Sequence, residues 1–252
     1  MKLITPLLLL IATSAFCGDT IPSGARLLLK AYPASIISYK NNKLYFKDGS
    51  FMIYDDGVKQ KANQTLLDTP DIKDQFKYPY TQGATPKKID YLFDPGRIRN
   101  TDFFKKMYGN TPDEVKKNLV EIVWCPKLIN QKIKVTKVNG VDKALQRISD
   151  ELDNHPELKD YITDIGGTFN WRLIKGTQRL SMHSFGMTID INTKFSNYWE
   201  WDCRCTNEET QLKYINKIPQ LIIDIFEKNG FIWGGKWYHY DTMHFEYRPE
   251  LL

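Results

Sequence analysis

Histidine is scarce in this chain of 252 residues: there are four, His155, His183, His239 and His244, so any imidazole chemistry must rest on these positions. Cysteine is as scarce, with four, and Cys203-x-Cys205 has no second Cys or His pair at finger-like spacing, which argues against a structural zinc finger. After the first twenty residues no apolar run is long enough to span a bilayer, so no transmembrane segment is expected in the mature protein. No dense Lys/Arg stripe appears, which excludes a nucleic-acid footprint. Internal repeats and low-complexity tracts are missing too. What is present is ordinary for a globular protein: 42% hydrophobic, 13% aromatic and 26% charged residues exclude wholesale disorder and suffice for a substantial core.

The first residues, "MKLITPLLLLIATSAFC", place a Lys before an apolar run and then small residues, the layout of a secretory signal peptide over residues 1–17. Cleavage falls after Ala15 or after Cys17; the alternative is a lipoprotein with Cys17 as its lipidated first residue, against which Phe16 is a bulky neighbour. Export implies a periplasmic or secreted protein in an oxidising compartment, with Cys125, Cys203 and Cys205 as the remaining thiols. Because Cys203 and Cys205 are so close, the expected bridge joins Cys125 to one of them and leaves one thiol over. The chain has 35 Lys+Arg against 30 Asp+Glu, and loss of Lys2 with the signal leaves a net charge of +4. That mild excess suits contact with anionic polymers such as cell wall or lipid headgroups.

Residues 18–100 read as an N-terminal extension. Two strand-like runs, "LYF" and "FMIYDDG", flank an Asp48-Gly49 hairpin signal, and "DTPDIKDQFKYPYTQGATPKK" reads as an extended connector wrapping the main domain. Residues 101–252 read as the main domain. A helix starts near Thr101; "TPDEVKKNLVEIVW" has Thr111 at an N-cap, Pro112 at the first helical position and acids in the first turn; "QKIKVTKVNG" alternates as a strand ending in an Asn-Gly turn. Val141, Ala144, Leu145, Ile148 and Leu152 have the spacing of an amphipathic helix, and Gly166-Gly167 announces a loop. "MTIDIN" alternates as a strand, "PQLIIDIFEKNGF" is a helix stopped by Asn229-Gly230, and "HFEYR" is a strand whose His244 and Glu246 share a face.

His183 and Asp190 lie seven positions apart in a stretch with no other charge, "LSMHSFGMTIDIN". With His244 brought in from an adjacent strand they could form a His₂Asp set with a coordination position left open for water, as catalytic zinc requires. Taken alone, such a spacing more often describes a capping His and a hydrogen-bonded Asp. The wider context points further. "SMHSFGMTIDIN" together with "WYHYDTMHFEYRP" resembles the two signature segments of the D-alanyl-D-alanine carboxypeptidase and L-alanyl-D-glutamate endopeptidase family of zinc peptidases, which includes vancomycin-resistance D,D-peptidases and phage endolysins. Ser181, His183, Gly186 and Asp190 match Ser-x-His-x-x-Gly-x-Ala-x-Asp, and Asp241 and His244 match the acid three residues before the final His. Thr188 stands where Ala is usual, and Asp241 where many members have Glu.

The resemblance covers roughly the C-terminal half. It implies that His183, Asp190 and His244 bind Zn²⁺, that Asp241 is the general base, and that Arg172, preferred over Arg179, faces the oxyanion. Arg172 could equally be a surface residue or a carboxylate clamp. Ser181, His239 and Glu246 are expected in the surrounding shell or against substrate, Glu246 being the rival for the base or an orienting partner of His244. His155 reads as a solvated cap. Tyr198, Trp199, Trp201, Trp233, Trp237, Tyr238 and Tyr240 crowd the motifs, either as core or as a groove wall. The expected fold is α+β, a small antiparallel sheet carrying the zinc site with helices packed around it and an N-terminal β extension. The expected activity is hydrolysis of peptidoglycan stem peptides, as a D-Ala-D-Ala carboxypeptidase or an L-Ala-D-Glu endopeptidase. The alternative is a noncatalytic cell-wall or partner-binding module retaining the peptidase fold.

Overall fold

The apolar periodicities resolve into an α+β fold in a computed structural model, which describes residues 20–252. The signal peptide expected over residues 1–17, with Cys17, lies outside the described residues. No helix among the described residues is long and apolar enough to cross a membrane.

Helix α1 (Ser23–Ala31) opens the described chain and buries Ala25 and Leu28. Strands β1 (Ile36–Lys40), β2 (Lys43–Phe46) and β3 (Phe51–Ile53) form an antiparallel sheet in that order. The β2–β3 turn is the expected one: Gly49 has φ +83° and Asp48 Oδ1 accepts from the Ser50 amide at 3.1 Å. After α2 (Asn63–Asp68) the chain runs to Asn100 with a single 3₁₀ turn at Lys73–Phe76. It does wrap the body, held by Tyr80 to Glu227 (2.6 Å), Lys236 to the carbonyls of Thr81 and Gly83, and Trp237 to the carbonyl of Pro95 (2.7 Å).

Helix α3 (Thr101–Tyr108) is capped by Asn100, whose side chain accepts from the Phe103 amide. Helix α4 (Pro112–Lys116) starts as expected, with Thr111 accepting from the Glu114 amide, but stops after five residues. The segment that follows is not helix. Leu119–Trp124 is strand β4, paired in full register with β5 (Gln131–Thr136), because its β-branched run packs better on a partner strand than on a helix face. Helix α5 (Val141–Leu152) buries the predicted stripe of Val141, Ala144, Leu145, Ile148 and Leu152. Past α6 (Lys159–Ile162), the paired glycines belong to a short strand, β6 (Ile165–Gly167), not to a loop; β7 (Thr188–Asn192) holds it in register through Ile165 with Asn192 and Gly167 with Asp190.

Helices α7 (Trp199–Cys203) and α8 (Gln220–Lys228) precede β8 (Phe231–Trp233) and β9 (His244–Tyr247). The central sheet has the order β6-β7-β9-β8, antiparallel throughout. Its inner face, Ile189, Ile191, Trp233 and Phe245, packs into the apolar core with α5 and α8; the Phe226 and Phe245 rings stack with centroids 3.8 Å apart. One core cluster runs from Ala25 on α1 to Phe245 on β9. Each fully buried Phe, Leu or Ile contributes about 1.5–3 kcal/mol to it. Gly186, between the His183 turn and β7, has φ +65°, and a Cβ there would come within 2.7 Å of the Leu119 side chain and 3.3 Å of the Thr136 amide. Only glycine satisfies both demands.

The expected disulfide is corrected. Cys203 bonds Cys205 across one residue, with their Cα atoms 5.2 Å apart, and Cys125 is free and buried. Arg204, at φ +54°, takes the left-handed conformation that lets the chain close so short a loop. Cys125 sits instead against Ser149, whose hydroxyl accepts from its amide at 2.7 Å, and burial pushes its thiol pKa up to about 12. Alkylation at pH 8 followed by peptide mapping therefore leaves Cys125 unlabelled in the native protein and labels it after denaturation, whereas Cys203 and Cys205 label only after reduction. Gly186→Ala is expected to lower stability by more than about 1 kcal/mol in denaturant unfolding, from the positive φ and the lost close approach.

Candidate metal centre and catalytic site

Antiparallel pairing of β7 with β9 makes Asp190 and His244 direct cross-strand partners, side chains on one face. His183 reaches the same place from the 3₁₀ turn Met182–Phe185, just before β7. The Asp190 carboxylate spans the two rings, Oδ1 to His244 Nδ1 at 2.9 Å and Oδ2 to His183 Nε2 at 3.1 Å. One donor atom from each of the three residues lies within 4.8 Å of the others. Both histidines are 6% exposed, so little water competes for these atoms.

The outer nitrogens fix which ring atoms face inward. His183 Nδ1 lies 3.1 Å from the carbonyl of Thr168, which can only accept; that nitrogen carries the proton and Nε2 keeps its lone pair. His244 Nε2 lies 3.4 Å from Glu246 Oε2, leaving Nδ1 to face Asp190. A carboxylate or carbonyl behind each ligand histidine is the usual support of a metal site. Thr188, the departure from the family pattern, donates from Oγ1 to the same Thr168 carbonyl at 3.4 Å.

Burial alone would raise the Asp190 pKa, but the two imidazoles beside it hold the carboxyl well below the usual range. Burial would likewise lower that of His244, yet hydrogen bonds to Asp190 and Glu246 take it up to about 10. The raised pKa of His244 places a proton where a divalent cation would sit, and binding a cation would release it. Separations of 2.9 and 3.1 Å are close to the ligand-to-ligand edge of about 3.3 Å in a tetrahedral zinc site. The residues fit zinc.

A second acidic group, Asp55, Asp56 and Asp71, has comparable compactness. Its cation is already supplied: the Lys61 ammonium lies 2.7 Å from Asp56, 3.2 Å from Asp71 and 2.5 Å from Asp74.

Asp241 precedes β9 in the turn that follows the 3₁₀ segment Gly234–Lys236, its amide bonded to the carbonyl of Gly234 at 3.0 Å. A Cβ on Gly234 would come within 2.6 Å of the Asp241 carbonyl, so a side chain there would displace the acid. Asp241 Oδ1 is buried with no hydrogen-bond partner among the described residues. Burial, and then the negative charge of Asp190, raise its pKa to about 6. An acceptor poised near neutrality beside the His₂Asp cluster is what a general base requires.

Comparison with known proteins adds one observation. Residues 175–247 match the family model described as D-alanyl-D-alanine carboxypeptidase. The match spans His183, Asp190, Asp241 and His244, and the family is one of metallopeptidases. No curated protein sequence matches, and no solved structure matches.

Within and around this carboxypeptidase-like segment the other expected residues separate. Ser181 begins the His183 turn, its amide bonded to the Arg172 carbonyl and its own carbonyl accepting from Ser184. Glu246 is fully buried behind His244 and locked by Arg99 and Arg248, which hold its carboxyl far below the usual range against the cost of burial. It stands behind His244. His239 has both ring nitrogens taken, Nδ1 by Asp94 at 2.7 Å and Nε2 by the Glu208 carbonyl at 2.8 Å, and does not join the His₂Asp cluster. Arg172 is exposed; its backbone is tied to Ser184 in the His183 turn, and its guanidinium makes no ion pair among the described residues. Arg179 is drawn instead toward Asp68 and Glu208. His155 pairs with Glu157 at 3.0 Å, away from the site. Of the aromatic group, Trp199, Trp233, Trp237, Tyr238 and Tyr240 are core, whereas Tyr198, bridged to Asp241, is half-buried and Trp201 is 58% exposed.

Sequence reasoning missed Arg97 and Arg99, in "DPGRIRN". Arg97 forks onto Glu208 at 2.6 and 2.7 Å and Arg99 onto Glu246, yet nothing local marks a connector arginine as a partner of residues more than a hundred positions away.

Metal-depleted protein is expected to take up one zinc. In thermal or denaturant unfolding, free zinc at about 100 times its Kd should add about 2.7 kcal/mol of stability, and His183→Ala or His244→Ala should abolish that increment.

Proposed function

We propose that this protein is an exported zinc metallopeptidase that hydrolyses peptidoglycan stem peptides, at a D-Ala-D-Ala terminus or at an L-Ala-D-Glu bond. The observation that carries the reading is the unpartnered, buried oxygen of Asp241 beside the His183–Asp190–His244 cluster. A retired site has no reason to keep a raised-pKa acid next to three intact donors.

His183, Asp190 and His244 would hold the zinc. When bound, zinc supplies Lewis acidity and makes water acidic enough to act as a nucleophile near neutral pH. Asp241 Oδ1 accepts the proton of the attacking water and later delivers it to the leaving amine, so the two half-reactions share one carboxyl. Arg172 is the cation for the developing oxyanion: the His183 turn fixes its backbone, and its exposed guanidinium is uncommitted to any acid, unlike that of Arg179. Tyr198, bridged to Asp241, and exposed Trp201, packed against Tyr198, form an aromatic wall along which a stem peptide or its sugar would lie. The mild positive charge supports approach to an anionic wall.

The test is incubation of the zinc-loaded protein with muropeptides, products read by mass spectrometry, with and without chelator. Loss of terminal D-alanine identifies the carboxypeptidase, and release of the stem after L-Ala identifies the endopeptidase. Asp241→Ala should abolish detectable turnover while zinc stoichiometry stays at one, and Arg172→Ala should lower kcat by about 10²–10³. Zinc-loaded protein that cleaves neither bond refutes the reading.

A further inference from the structure

A row of buried polar groups runs from α1 to the back of His244. The Tyr32 hydroxyl, at the C-terminal end of α1, donates to Glu250 Oε2 at 2.5 Å across 218 positions of sequence. Glu250 Oε1 accepts from Arg248 Nε at 2.5 Å, Arg248 Nη1 donates to Glu246 Oε1 at 3.0 Å, and Glu246 Oε2 faces His244 Nε2 at 3.4 Å. Arg99 of the connector closes on Glu246 from the other side, Nη2 to Oε2 at 2.6 Å and Nε to both oxygens. Tyr32, Arg248, Glu246 and Glu250 are at most 1% exposed.

The members of this row constrain one another. A buried carboxylate is tolerable only while its cations stay in place, and a planar guanidinium that binds two acids through separate nitrogens fixes the angle between them. Arg248 does this for Glu250 and Glu246 and is further held by the Gly96 carbonyl at 3.1 Å. Arg99 lies over the Trp237 ring at 5.1 Å, and that ring in turn flanks His244 with centroids 5.7 Å apart. The orientation of His244 is thus tied to residues outside the matched segment 175–247: Tyr32 and Arg99 before it, Arg248 and Glu250 after it.

We propose that Tyr32 and Arg99 are positioning residues of the metal centre, acting through Glu250, Arg248 and Glu246 to hold His244 in its ligating orientation, so that the N-terminal segment sets metal affinity. This inference rests on the metal-centre reading given above. It assigns the N-terminal helix a role that bare packing of α1 would not give it: loss of the relay alters the ligand even where the protein stays folded.

The experiment uses the full mature chain and four variants, Tyr32→Phe, Arg99→Gln, Arg99→Lys and Leu28→Ala. Leu28 is a fully buried residue of the same helix with no part in the relay, so its variant reports the effect of destabilisation alone. Zinc Kd is measured by competition with a chromophoric chelator under conditions where each variant is folded by circular dichroism, and the cobalt-substituted proteins are compared by visible absorption. The metal-free proteins are compared by the imidazole ¹⁵N resonances of His244. Arg99→Gln is expected to weaken zinc about 10–100-fold and to shift the cobalt bands and the His244 resonances. Arg99→Lys should recover part of that loss, Tyr32→Phe should act in the same direction to a lesser degree, and Leu28→Ala should lower stability with Kd and spectra unchanged. The proposal is overturned if Arg99→Gln and Tyr32→Phe match the parent in Kd and in His244 resonances, or if Leu28→Ala shifts them as much. Should the parent bind no zinc while the His244 resonances still respond to Tyr32 and Arg99, the relay stands and the metal-centre reading falls.

Discussion

One carboxylate holds this site together. Asp190 places an oxygen against each of two imidazoles, and it does so because β7 and β9 pair in the register that sets Asp190 opposite His244. A slip of one residue would turn either side chain to the opposite face of the sheet, into the core formed by Ile189, Ile191 and Phe245. The apolar face therefore specifies the chemistry on the other face. Packing of Phe226 on Phe245 and of α5 behind the sheet enforces the register, and the register assembles the donors.

Charge burial accounts for much of what surrounds that cluster. Glu246 is needed behind His244 but cannot be buried alone, so Arg99 and Arg248 attend it; Arg248 brings Glu250, and Glu250 brings Tyr32. A parallel group at the other flank joins Asp94, Arg97, His239 and Glu208 and pins the disulfide-bearing segment after α7 to the connector. Each added ion satisfies the one before it, because leaving a buried charge unpaired costs several kcal/mol. Asp241 is one acid left without such a partner. Its Oδ1 is buried without a partner and its pKa is raised, which would suit the proposed acceptor of a proton.

Much of the core of the site was legible from residue types. His183, Asp190 and His244 converge as the two motifs suggested, the alternation in "MTIDIN" and "HFEYR" gave the two strands, and the stripe on α5 is buried position for position. The misreadings have local causes. Thr111 and Pro112 are true helix-start signals, but they said nothing of where α4 ends, and the β-branched run after it found a partner in β5. The bridge expected at Cys125 assumed ordinary chain geometry between Cys203 and Cys205; the left-handed Arg204 changes that geometry.

By itself the sequence determined the periodicities and the turn at Asp48-Gly49, because each depends on neighbours within a few positions, and its two motifs named the candidate donors. Only the tertiary structure decided which oxygen faces which nitrogen, that Glu246 stands behind His244, that Tyr32 and Arg99 join the polar row behind it, and that Arg97 pairs with Glu208. The pairings of Tyr32, Arg99 and Arg97 join charged or polar groups more than a hundred residues apart. They leave no period in the chain, and become definite only when burial in one core removes water as the competing partner.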